Sequence, residues 1–152
     1  MDTVTQIVLG TAIAEGGFRR YLGRKSLIFG AFCGWFPDSD VLLHSFGTWE
    51  SMVSHRAETH SLFCLPLFAL PLAWLGHRWG KKGRWSQWYH LAFWAVITHP
   101  LLDSFTSYGT QLFAPFSDTR VAWDGVGIID LIYTLPLIYV SWQAFRKQSD
   151  RA

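Results

Sequence analysis

Two stretches of this 152-residue chain, 59–77 and 85–102, contain no Asp, Glu, Lys or Arg. Each approaches the roughly 20 residues with which a helix crosses about 30 Å of hydrocarbon. The pattern predicts two membrane-spanning helices. A third uncharged stretch covers 131–145, and two shorter apolar stretches, 3–14 and 26–36, precede the first pair. The expected fold is therefore all-α, an integral membrane bundle of four to five helices in a single domain over 1–152. Hydrophobic residues make up 50% of the chain, the upper edge for a soluble domain. A soluble bundle of buried helices is the alternative, since apolar runs of about 10–14 residues often fold that way.

The placement of charge favours the membrane. Threading the five stretches up and down gathers Arg19, Arg20, Arg24, Lys25, Arg78, Lys81, Lys82, Arg84, Arg146, Lys147 and Arg151 on one side. Only Arg56 and Arg120 fall on the other. Basic loops stay cytoplasmic, so the loops at 37–59 and 103–127 are expected to face outward. The acids sort the other way: Asp38, Asp40, Glu50, Glu58, Asp103, Asp118, Asp124 and Asp130 all lie at the outer ends. The net charge of +2 is spent on orientation, and without an aromatic stacking platform no nucleic acid is expected as a partner. Cys33 and Cys64 lie in apolar stretches and indicate neither a disulfide framework nor a thiolate site. No cleavable leader is expected at the N-terminus.

Gly16, Gly17 and Gly23 surround the basic turn FRRYLGRK, which reads as the hinge of a helical hairpin. Pro37 is expected to end the second helix, residues 49–54 to form a short surface helix, and Thr59 to cap a helix starting near His60. Pro66 and Pro71 should kink that helix. Residues 104–127 read as an ordered outer loop. Glu15 faces either the bundle interior or Arg19, four residues on.

Metal ligands must converge, and in a bundle they do so where several helix ends meet at one depth. Asp38 and Asp40 follow a helix end, His55 and His60 bracket a helix start in HRAETH, and His99 and Asp103 close a helix in THPLLD. Asp124 and Asp130 flank the start of the last helix. His99 and Asp103 are four apart and share a helical face. Ionisable groups at membrane depth are costly to bury and mark function. Imidazole with carboxylate suits zinc, manganese or iron, with zinc the default. His44 is a weaker candidate, and His77 and His90 read as interfacial or core residues.

The strings MDTVTQIVLGTAIAE, WFPDSD, HRAETHSL and THPLLDSFTSYGTQLFAPFSD together resemble the YdjM family of bacterial inner-membrane proteins, described as metal-dependent hydrolases. The resemblance covers most of the chain to about residue 136. It implies a distant similarity to zinc-dependent phospholipase C, with Asp38, His55, His60, His99 and Asp103 as ligands and Asp40 next in line. Many relatives carry His where this chain has Gln6. Glutamine is a poor zinc ligand, so either that site is absent or Gln6 hydrogen-bonds to a bound water or ligand.

The expected function is hydrolysis assisted by a divalent metal, zinc by default, which brings the pKa of a water toward neutrality. The membrane bilayer is the expected partner, the bacterial inner membrane the expected location, and a lipid or lipid-linked phosphoester the expected substrate. Glu58, between two candidate ligands, is the candidate base. The alternatives are a membrane protein that binds metal without catalysis, and a regulatory protein with a metal-free polar cluster.

Overall fold

In a computed structural model the described residues, 1–39 and 58–146, are helical, with five long helices and no strand. These are α1 (Thr3–Ile13), α2 (Lys25–Trp35), α3 (Leu65–Gly80), α4 (Trp85–Asp103) and α5 (Leu131–Arg146). Asp2 caps α1, its carboxylate accepting from the Thr5 amide at 3.0 Å. The hinge expected in FRRYLGRK is where the chain reverses, at Gly23, whose φ of 76° is cheap for a residue without a Cβ. Gly16 and Gly17 precede it in a π-helical turn, Ala14–Phe18, that prolongs α1 into a last turn, Arg19–Leu22.

The uncharged stretch 59–77 is not one helix. Glu58–His60 forms a 3-10 turn, and α3 begins five residues later than expected, with Cys64 rather than Thr59 at its N-cap. Pro66 then falls in the first turn, where its missing N–H costs nothing. Only Pro71 lies in the interior. A second cause of the late start is tertiary: the Ser61 hydroxyl donates to Ala114 O, and the Leu62 amide donates to Leu112 O at 3.0 Å. The outer loop thus fastens residues 61 and 62 outside the helix.

α1 and α2 form one antiparallel hairpin and α3 and α4 another, with α5 laid along α1. The α1–α2 seam is backbone on backbone: a Cβ on Gly10 would lie 2.1 Å from Gly30 O, and one on Gly34 would lie 2.3 Å from Gln6 O. Gly30 and Gly34, four apart, are the small-residue spacing that lets helices approach closely in lipid. In the second hairpin Gly76 and Gly80 leave a slot for the fully buried Trp88, whose indole donates to Lys82 O at 2.8 Å and meets Phe29 edge-on.

Polarity is inverted along α5. Thr134, Ser141 and Ala144 are buried, whereas Ile132 is 89% exposed and Leu131, Leu135 and Trp142 are also exposed. The buried hydroxyls serve the α1 contact: Thr134 pairs with Thr5 Oγ1 at 2.6 Å and Ser141 donates to Val8 O at 3.2 Å. Leu67, Leu70, Trp74 and Leu75 continue the exposed apolar surface on α3. Large exposed apolar surfaces of this kind mark contact with a membrane or another protein. No helix among the described residues is long and apolar enough to cross a membrane. The longest, α4, has 19 residues, about 28 Å at 1.5 Å per residue, and its sequence includes Gln87, His90, His99 and Asp103.

The two ends of the bundle differ in charge. The turns after α1 and after α3 meet at one end, where the Lys25 ammonium donates to Trp79 O at 2.8 Å. There Arg19 also bridges Glu15 at 2.6 Å and Ala144 O at 2.7 Å, so the Glu15–Arg19 pairing is the arrangement found. Asp38, His60, His99 and Asp103 gather at the opposite end.

Candidate metal centre

Three elements deliver the four side chains. Asp38 stands in the 3-10 turn Phe36–Ser39 that follows α2, His60 closes the turn Glu58–His60, and His99 and Asp103 lie one helical turn apart on the last turns of α4. His60, His99 and Asp103 are fully buried, and the Asp38 side chain is 11% exposed. One ligand atom from each of the four lies within 4.8 Å of all the others.

His99 Nε2 lies 3.2 Å from Asp38 Oδ1 and 3.7 Å from Asp103 Oδ2, and His60 Nε2 lies 3.7 Å and 3.5 Å from the same two oxygens. Three of the four separations are too long for good hydrogen bonds. All four lie within about 0.1 Å of the edges of a tetrahedron around zinc, which for bonds of about 2.0–2.2 Å are about 3.3–3.6 Å long. The donor set fits a divalent cation on this ground, and two imidazoles with two carboxylates are a zinc-type set.

Each of the four groups is also held from behind. His99 Nδ1–H donates to Gly34 O at 2.7 Å, which turns Nε2 inward, and His60 Nδ1 meets Thr59 Oγ1 at 3.0 Å. Thr3 donates to Asp38 Oδ2 at 3.1 Å, leaving Oδ1 to face both histidines. Gln6 Nε2 donates to Asp103 Oδ1 at 3.1 Å and to His99 O at 3.2 Å, and the Met1 amino group also donates to Asp103 Oδ1. Asp103 Oδ2 therefore faces the histidines. Metal ligands need such outer partners to fix their orientation.

Burial works to raise the Asp38 carboxyl, but its interactions with the imidazoles of His60 and His99 outweigh it and hold the group well below the ordinary carboxylate range. Burial works to lower His60, and its interactions with the carboxylates of Asp103 and Asp38 outweigh it and raise the imidazole. Two buried carboxylates thus draw in positive charge, a need that a protonated His60 or a divalent cation answers.

Of the expected ligands, Asp38, His60, His99 and Asp103 are brought together. Asp40 and His55 lie outside the described residues, as do His44, the expected helix at 49–54 and the side chain of Glu58. Asp124 and Asp130 do not join the cluster: Asp124 is exposed, and Asp130 caps α5 by accepting from the amides of Ile132 at 2.9 Å and Tyr133 at 3.2 Å. Gln6 is buried among the four, and its amide donates to the Asp103 side chain and to His99 O. Thr3 and Gly34 went unrecognised in the sequence, and only the Gly30–Gly34 spacing could have drawn attention to the second of them.

Gln6→Ala removes one of the donors that orient Asp103 without touching a ligand. Zinc affinity is expected to fall by about 10–100-fold, measured by competition with a fluorescent chelator, with helix content unchanged in circular dichroism.

A family model described as "YdjM inner membrane protein" matches residues 1–152, the whole chain. The chain is 27% identical over 153 aligned positions to the uncharacterized protein YfhP of Bacillus subtilis (strain 168). That alignment covers 93% of this chain and 44% of YfhP, so the chain spans less than half the length of this relative. No solved structure matches.

Proposed function

The chain belongs to the YdjM family of inner membrane proteins, and we propose that it is a membrane-embedded, metal-dependent hydrolase of lipid or lipid-linked phosphoesters. The observation that carries the reading is the cluster of Asp38, His60, His99 and Asp103, each oriented from behind, with N···O separations of 3.2–3.7 Å. Zinc held there would polarise a phosphoryl oxygen and bring the pKa of a water toward neutrality. Asp38 and Asp103 hold the cation's charge, His60 and His99 complete its donors, and Gln6 and Thr3 keep the carboxylates aimed. Glu58, on the same turn as His60, is the candidate base.

The membrane placement rests on the exposed apolar surface of α3 and α5 and on the separation of the basic turns from the cluster. The basic end faces the cytoplasm and the cluster lies at the outer interface in a multi-pass arrangement, its short helices matched to the bilayer by local thinning. Phe63, Phe105, Tyr108, Phe116 and Trp123 are exposed around the cluster end, the kind of aromatic belt that settles at headgroup depth.

The test is metal content by mass spectrometry on detergent-purified protein, beside phosphate release from phosphatidate vesicles. One zinc per chain and metal-dependent release support the proposal, with both lost in the double variant His99→Ala, Asp103→Ala. Zinc without turnover of any phosphoester leaves a metal-binding membrane protein and removes the hydrolase. Absence of metal after reconstitution removes both and leaves a metal-free polar cluster.

Buried beside two carboxylates, His60 has a raised pKa, and below that pKa metal uptake must displace its proton. Affinity is therefore expected to hold above that pKa and to fall by about tenfold per pH unit below it. Calorimetry in buffers of different ionisation enthalpy should show proton release rising toward about one per zinc as the pH is lowered through that pKa. No proton release in any buffer would show that His60 is already neutral in the apo-protein.

A further inference from the structure

The end of the bundle remote from the cluster carries a second feature. Ile28, Phe29 and Phe32 on α2 and Leu75, Gly76 and Trp79 on α3 line an open cleft of about 330 Å³, with almost no polar surface in its walls. Its outer lips are exposed: Ile28, Phe32, Leu75 and Trp79 are all accessible. Its floor is fixed, because Phe29 packs edge-on against Trp88, and Gly76 stays bare where any Cβ would strike both rings.

One mouth of the cleft is strongly cationic. Lys25 lies one turn before Ile28, donates to Trp79 O at 2.8 Å and stands 5.1 Å from the centre of the Trp79 ring. That bond uses one of three ammonium donors and leaves two for a ligand. Arg24, Arg78, Lys81, Lys82 and Arg84 are exposed on the same pair of turns, and the methylenes of Lys82 pass close to Gly23. No Asp or Glu occurs in 16–37 or 61–102, and Glu15, the described carboxylate at this end, is paired with Arg19.

An apolar trough with a cationic rim at one end has the chemistry of a single lipid. We propose that the cleft binds one anionic phospholipid of the cytoplasmic leaflet, with its phosphate on Lys25 and Lys82 and the upper part of an acyl chain along Ile28, Phe32 and Leu75. From Lys25 to Phe32 the helix rises about 10 Å, which accommodates the first half of an acyl chain and leaves the remainder in the bilayer. Trp79 sits where chain gives way to headgroup, the depth that an amphipathic ring prefers. Anionic headgroups gain about 1 kcal/mol for each nearby Lys or Arg, so selectivity against a zwitterionic lipid resides in the rim and affinity for the chain in the walls. This site is separate from the metal centre and needs the protein only to be in a membrane.

Native mass spectrometry of the full chain in detergent, titrated with phosphatidylglycerol or phosphatidylcholine, tests it. One phosphatidylglycerol per chain is expected, in preference to phosphatidylcholine by roughly tenfold. Lys25→Gln with Lys82→Gln should abolish that preference, and Leu75→Trp, which fills the trough from its exposed lip, should weaken both lipids. Zinc content serves as the folding check, since none of these residues touches the metal centre. Equal binding of the two lipids by the unaltered protein, or an unchanged preference in folded variants, overturns the proposal. Inorganic phosphate should not compete, and competition by phosphate alone would overturn the assignment to a lipid.

Discussion

Asp103→Ala is expected to purify without stoichiometric zinc and to lose roughly 3–5 kcal/mol of stability, the cost of breaking a buried charge cluster by removing one partner. The carboxylate has three dependants: Gln6 Nε2, the Met1 amino group and the imidazole face presented by His60 and His99. Its side chain is fully buried, so water cannot take over those bonds at low cost. Asp103→Asn separates the two effects. An amide oxygen placed at Oδ1 can still accept from Gln6, so thermal unfolding in detergent should show a smaller loss than for alanine. Zinc content measured by mass spectrometry should still collapse, because a neutral amide has given up the charge that holds the cation. Retention of one zinc per chain in Asp103→Asn would exclude this carboxylate as a ligand.

Gly30→Val is expected to empty the same site from a distance. A Cβ at Gly30 would lie 2.4 Å from Gly10 O and 2.9 Å from the Ala14 methyl, and the first of these is backbone that can move only with its helix. Overpacking of this kind costs about 1–3 kcal/mol or more. The larger consequence is geometric: α1 carries Gln6 and Thr3, α2 carries Gly34 O and leads into Asp38, and both sets aim the ligands. Parting the seam releases His99, Asp38 and Asp103 together, so zinc affinity should fall by more than the roughly 100-fold expected from losing one outer partner. The conservative variant Gly30→Ala should fall between the two. A Gly30→Val protein with native zinc affinity would mean that the seam does not position the site.

Much of the site was legible in sequence because its signals are local. His99 and Asp103 share a face by spacing alone, Pro37 places Asp38 just beyond a helix end, and the opposition of basic and acidic ends follows from charge order. The helices at 3–14, 26–36, 85–102 and 131–145 were found to within one or two residues for the same reason. What failed was non-local. Freedom from charge cannot separate a turn from a helix, and residues 59–64 were pulled out of α3 by hydrogen bonds to residues 112 and 114. Nor is freedom from charge the same as apolarity: histidine, glutamine, serine and proline interrupt the uncharged stretches, and no described helix meets the length and hydropathy of a membrane span. Thr3 and Gln6 left no trace in sequence because their partners lie 35 and 97 residues away.

The glycine seam also sets an order of events. α1 and α2 are neighbours in the chain and need nothing else to close, so their hairpin is complete once residue 39 has emerged. Asp103 follows roughly 60 residues later, some 3–12 s at bacterial rates of synthesis of about 5–20 residues per second. For that interval Gln6 and Asp38 wait beside an unfinished pocket, which gains His60 first and His99 only just before Asp103. The nascent protein therefore passes through a stage in which half of the ligand cradle is built and no metal can yet be retained, and loading becomes the last step of assembly rather than its nucleus.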